Sequence, residues 1–223
     1  MPKLERRQET DLRFLERYDV DPRFRAAAVE GLRLMERLDP EIYQYHNKHH
    51  AIDVIKDAMF IGLLEGISKK DLGLLLAGAA FHDTGFTEVY DRNEPVGARL
   101  ARESLKRLGI QERDVVVVEN MIIKGTTWPQ RPETKLERIL ADADVANFGK
   151  RGPRGFVALR EAVRCERTHQ MGVQMTNKEW QIGTYNFLAQ HHYFTESARS
   201  LFGKLATAHI AELKVTAESI MRG

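Results

Sequence analysis

Residues 45–54 read YHNKHHAIDV and place three histidines and an aspartate within ten positions. On a helix, His46, His50 and Asp53 recur at i, i+4 and i+7 and share one face. His49 points about a quarter-turn away, and its spacing pairs it with Asp53 as a carboxylate that could fix its tautomer. Imidazole suits Zn²⁺, Fe, Co or Ni, and carboxylate suits harder ions such as Mg²⁺ or Mn²⁺. A helix face carrying both is a candidate metal wall. Two later sites could close around the same ion: His82-Asp83 and Asp142-Ala143-Asp144.

The elements that must position these groups read as helices throughout. Residues 11–18 form a short helix. Asp21-Pro22 is an N-cap followed by proline at the first helical position, opening a helix to Leu38. Asp39-Pro40 breaks it, and the next helix begins near Glu41 and carries the histidines. Ser68 with Asp71 caps an apolar helix in which Gly78 permits a close crossing; it delivers His82-Asp83 at its end, where Gly85 stops it. Pro95 opens a helix to Leu108. The next element, from Glu112 to Lys124, contains VVVV, a run with strand propensity. The flanking helices and the lack of a partner strand make it a helix. The segment 133–148 is helical and carries Asp142, Asp144 and Asn147. After the basic turn 149–155, helices span 156–169, 177–192 and 195–220. One all-α domain over residues 1–223 is expected, with the metal-site core at 43–148 and the helices of 153–220 packed on it.

Composition excludes several classes. The chain of 223 residues is 43% hydrophobic and 30% charged, as in a water-soluble globule. Lys+Arg 34 against Asp+Glu 32 leaves +2, so nothing pulls it toward a nucleic acid polymer or a membrane. Cys165 is the only cysteine, which fits a reducing, cytoplasmic setting, and it reads as a small packed residue. The charged N-terminus has no secretion signal. The apolar run at 72–81 is too short to span a bilayer.

Taken in order, His50, His82-Asp83 and Asp144 (in LADADVANFG) resemble the H…HD…D pattern of the HD-domain metal-dependent phosphohydrolases. That resemblance implies an all-α HD-domain bundle. It also implies a divalent ion (Mn, Co, Mg, Fe, Ni or Zn, one or two per site) held by His50, His82, Asp83 and Asp144. The YHNxxH stretch is similar to the motif of cyclic nucleotide phosphodiesterases, in which the histidine matching His46 protonates the leaving oxygen. After Asp83 the similarity ends, since TGFTEVYDRNEP replaces the second histidine and loop of that group.

The expected activity is hydrolysis of a phosphoester of a nucleotide or small phosphorylated metabolite by metal-activated water. His46 acts as proton donor, Asp83 orients the water, and Lys124 holds the phosphate. Arg92, Asn93, Glu94, Thr126 and Thr127 are further pocket candidates, and Trp128 could stack on a base. Asp142 reads as a surface group or local cap. His191 and His192 read as structural or pocket-edge, and His169 and His209 as surface. A cyclic nucleotide phosphodiesterase, a di-iron oxygenase using Asp53 and Glu94, and a non-catalytic HD sensor remain alternatives. A homodimer is a possible assembly.

Overall fold

From Leu72 to Phe81 every residue is buried, and five other helices pack against this segment. The computed structural model describes residues 13–222. Among them are ten α-helices and no strand: α1 (Pro22–Met35), α2 (Lys48–Leu64), α3 (Lys69–Phe81), α4 (Glu94–Arg107), α5 (Glu112–Thr126), α6 (Lys135–Asp144), α7 (Asn147–Lys150), α8 (Pro153–Met171), α9 (Asn177–Ala189) and α10 (Glu196–Arg222). The fold is all-α, as the sequence predicts. Of the helix expected at 11–18, Arg13–Arg17 forms a 3₁₀ turn, and positions 11 and 12 lie outside the described residues.

Local chemistry sets the helix starts. The Asp21 carboxylate accepts the Arg23 N–H with Pro22 next in line. Ser68 Oγ accepts the Asp71 N–H at 3.1 Å. Thr134 with Glu137, and Thr176 with Glu179, form capping boxes. The valine run is helical: Val115 and Val118, three apart, face inward while Val116 and Val117 stay exposed.

The central helix α3 packs against α1, α2, α4, α5 and α6. At Gly78 an added Cβ would come within 2.7 Å of Met121 Sδ, so α3 and α5 approach as closely as a glycine permits. The helix ends at Phe81, before Gly85, and the chain continues through a 3₁₀ turn, Thr84–Thr87. Gly85 therefore does not act as a helix stop. It makes room, since a Cβ there would lie 1.9 Å from Asn93 O, just ahead of α4.

Behind this core, Phe156, Leu188 and Leu213 join α8, α9 and α10 in a second, smaller apolar cluster. Asp142 pins the chain leading into α10. Its Oδ1 accepts the Phe194 N–H at 2.7 Å, and its Oδ2 accepts the Thr195 N–H at 2.8 Å and the Thr195 hydroxyl at 2.6 Å. The expectation of a surface group or local cap is corrected: the carboxylate is buried because backbone donors across the fold need an acceptor. His209 is likewise buried rather than on the surface. Its Nε2–H donates to Arg151 O at 2.8 Å, and its ring stacks on Phe156 with centroids 4.1 Å apart. Cys165 is exposed rather than packed. No helix among the described residues is long and apolar enough to cross a membrane.

Asp142→Ala orphans two backbone N–H groups and a hydroxyl. It is expected to lower unfolding stability by about 2–4 kcal/mol in a urea titration. An unchanged midpoint would contradict the pinning role.

Candidate metal centre

Helix α2 begins later than its periodicity suggests. Asn47 is its N-cap, its Oδ1 accepting the N–H groups of His49 at 2.9 Å and His50 at 3.3 Å. His46 therefore lies ahead of the helix and does not stack with His50 and Asp53 on one face. The turn of chain before α2 carries it instead. His50 is buried in the first turn of α2, and His82 caps the C-terminus of α3 with Asp83 next to it. Asp144 is the last residue of α6.

These four residues converge. His50 Nε2 lies 3.4 Å from His82 Nε2, 3.4 Å from Asp83 Oδ2 and 3.2 Å from Asp144 Oδ1. His82 Nε2 lies 3.1 Å from Asp83 Oδ2 and 3.5 Å from Asp144 Oδ1. The His82 Nδ1–H donates to Ala79 O at 2.9 Å, which fixes the tautomer and leaves the Nε2 lone pair for the cluster. Asp83 Oδ2 is buried and makes no hydrogen bond. Such separations suit neighbouring ligands on one ion with bonds of about 2.0–2.6 Å. The orphaned carboxylate oxygen and the aimed imidazole nitrogens fit a divalent metal ion, and His50, His82 and Asp83 alone suffice as a possible site.

Electrostatics point the same way. Burial alone would raise the Asp83 and Asp144 carboxyls, yet both are held below the usual range. The imidazole of His82 is the main opposing influence at Asp83, and those of His50 and His82 at Asp144. Burial would also lower His82, but the two carboxylates raise it well above the ordinary value. The cage carries negative charge inside an apolar layer and requires cationic compensation, by protons or by a metal.

His46 has a partner that the sequence did not announce. Its Nδ1 lies 2.5 Å from Glu166 Oε1, and Glu166 Oε2 accepts the N–H groups of Tyr45 and His46, both at 3.0 Å. Glu166 is fully buried on α8. A signal existed: Phe156, Leu159, Val163 and Glu166 step by three, four and three residues, which puts a carboxylate on an apolar helix stripe. His46 packs against Phe86 at 4.6 Å and lies 5.8 Å from the His50 ring.

Other candidates fall elsewhere. Lys124 Nζ pairs with Glu133 at the surface. Asp53 Oδ2 lies 3.6 Å from the Arg151 guanidinium, in a partly exposed ion pair. Lys150, from the basic turn, is taken by Asp57 at 2.5 Å. Thr126 Oγ1 donates to Ile122 O of its own helix. Arg92 is exposed and Asn93 buried. Glu94 is half-buried; burial first, then the charges of Asp83 and Asp144, raise its carboxyl. Trp128 packs on Phe187, with centroids 4.3 Å apart. His191 has a buried Nε2 without a partner, and burial lowers its pKa to about 4. His192 is exposed and packs on Phe194.

Residues 48–147 match the family model described as the HD domain. No curated protein and no solved structure matches the chain.

Mn²⁺ titrated calorimetrically into the metal-free protein is expected to bind with release of protons, and more weakly at pH 6 than at pH 8. The reason is that the raised His82 imidazole holds a proton that the ion must displace. Asp83→Ala is expected to weaken binding beyond the 10–100-fold typical of losing an outer partner. Equal affinity in the variant would contradict the cage.

Proposed function

Because residues 48–147 carry an HD domain, we propose that this chain is a metal-dependent phosphohydrolase cleaving a phosphoester of a nucleotide or small phosphorylated metabolite. The supporting observation is the cage of His50, His82, Asp83 and Asp144 set beside a cavity of about 440 Å³ that His46 and Asp144 both line. A divalent ion bound there supplies Lewis-acid charge to a phosphoryl oxygen and acidifies water at neutral pH.

The chain's own residues do the rest. Asp83 turns Oδ2 toward the two imidazoles, where it would hold the ion, and its second oxygen orients the attacking water. His46 donates a proton to the leaving oxygen. Glu166 occupies its Nδ1, so Nε2 is left to face substrate. Burial opposes a charge on His46, but the hydrogen bond to Glu166 and the carboxylates of Asp83 and Asp144 outweigh it and raise its pKa. The imidazole thus stays protonated at higher pH than a free histidine. Glu166 is a positioning residue that also holds this charge. Arg167 lines the cavity, where Lys124 does not, and takes the role of phosphate cation first assigned to Lys124. Tyr45, Phe86, Tyr90, Phe148 and Phe187 supply flat apolar walls suited to a planar leaving group.

A panel of linear and cyclic phosphoesters with Mn²⁺, Co²⁺, Mg²⁺ and Zn²⁺ tests the proposal. Release of phosphate from a linear monoester is the expected result. Turnover of cyclic nucleotides alone would assign the site to a diesterase, and no turnover of any phosphoester by the metal-loaded protein would overturn the hydrolase reading. Glu166→Gln is expected to cut kcat by about 10²-fold, the lower range for general acid catalysis. It should also move the alkaline limb of the kcat profile to lower pH, because His46 loses the carboxylate that keeps it protonated. A profile that drops without shifting would leave Glu166 a purely structural role.

A further inference from the structure

Helix α10 has 27 residues and is about 40 Å long at a rise of about 1.5 Å per residue. One stripe of it, Ala198, Phe202, Ala206, His209, Leu213 and Ala217, is buried against the rest of the fold. A second stripe, Leu201, Leu205, Ala208, Ala211 and Val215, runs along a side turned away from the first and is exposed throughout. Its residues recur every three or four positions, so they share one face. Leu201 is 42% exposed, Leu205 38% and Val215 69%. They form a line, unlike the scattered single apolar residues of an ordinary surface. At the start of the line, Leu201 shares a shallow pocket with Leu64, which is exposed at the end of α2, so the apolar patch continues onto that helix.

Size and charge along this stripe are arranged about Ala208. Two copies of α10 laid antiparallel, with Ala208 facing Ala208, bring residues equally far from that centre opposite one another. Leu201 then meets Val215 of the second copy, Leu205 meets Ala211, and Lys204 meets Glu212. Large side chains face smaller ones, and the alanine at the centre lets the two backbones approach. Lys204 and Glu212 are both exposed. Among the described residues neither comes within ion-pair distance of an opposite charge, although Glu212 acts on the Arg160 guanidinium from further away. Lys214 and Glu218, by contrast, pair with each other at 3.9 Å. A parallel arrangement would set Lys204 against Lys204 and Glu212 against Glu212, which is repulsive. The charges beside the stripe cancel, two lysines against two glutamates, whereas a helix that lies on an anionic membrane is bordered by an excess of Lys and Arg.

We propose that this face of α10 binds a second copy of the chain, as a two-fold antiparallel helix pair centred on Ala208 with Lys204–Glu212 ion pairs on both flanks. A two-fold interface uses the same patch on both subunits, so each of these contacts is made twice. The surface is separate from the metal cage and does not depend on the hydrolase reading.

Sedimentation velocity of the full chain over a hundredfold range of loading concentration reads the association. The unsubstituted protein is expected to pass from monomer to dimer across it. Lys204→Glu and Glu212→Lys each create two like-charge pairs, and each is expected to weaken dimerisation at least tenfold. An equimolar mixture of these two variants regains opposite charges at both flanks of the mixed dimer, so its dissociation constant should return close to that of the unsubstituted protein. Ala208→Glu sets two carboxylates at the two-fold axis and should abolish the dimer. All three side chains are exposed, so circular dichroism should show unchanged helix content in every variant. An unsubstituted protein that stays monomeric at every concentration, single variants that dimerise as tightly as it does, or a mixture no tighter than its components would each overturn the interface. Monomeric protein that floats with phosphatidylglycerol vesicles would overturn it in favour of a lipid surface. None of these measurements needs a metal or a phosphoester, so they stand or fall apart from the hydrolase proposal.

Discussion

Two imidazoles and two carboxylates meet inside an apolar layer, and their meeting constrains what surrounds them. Each group alone would be disfavoured there. Together they are tolerable only if their charges balance and their orientations hold. Helix α3 carries most of that burden. Its residues from Leu72 to Phe81 are sealed from solvent, so its end is fixed when it presents His82 and Asp83. The Ala79 carbonyl, released by the end of the helix, sets the His82 tautomer. The Asn47 cap sets where α2 starts, and thereby places His50 in the first turn. Gly85 leaves the space that lets α4 close over the turn after Asp83.

The site does not end with the segment that matches the HD domain. Glu166, on α8, lies beyond residue 147, yet it holds the His46 ring and backbone N–H, and the Tyr45 N–H as well. Arg167, next to it, reaches the same cavity. The helices after residue 150 thus add chemistry as well as packing. Asp142 ties them back to α6, two residues before Asp144. Removing one member of a buried charged set leaves the others uncompensated, which costs more than never having buried them.

Much of this was legible in the sequence because it is local or ordered. Helix starts follow from Asp21-Pro22 and Ser68, and the helical reading of the valine run holds because its inward residues are three apart. The order His50, His82-Asp83, Asp144 marked residues that the fold then brings together. What was not legible depends on contacts between distant segments. His46 looked like a helix residue because its spacing to His50 is helical, and only the Asn47 side chain decides otherwise. Lys124 looked like a phosphate ligand from its place at the end of its helix, and a side chain nine residues further on, Glu133, is what its ammonium pairs with. Asp142 and His209 looked exposed because their partners are 52 and 58 residues away in the chain. Glu166 sat on an apolar stripe whose meaning appears only once His46 is set against it.

The most direct measurement is a crystal structure of the manganese-loaded protein with anomalous data at the metal edge. The account predicts an anomalous peak bonded to His50 Nε2, His82 Nε2 and oxygens of Asp83 and Asp144, with His46 and Glu166 still paired beside it. A peak coordinated elsewhere, or an ordered cage with no peak at full metal loading, would contradict it.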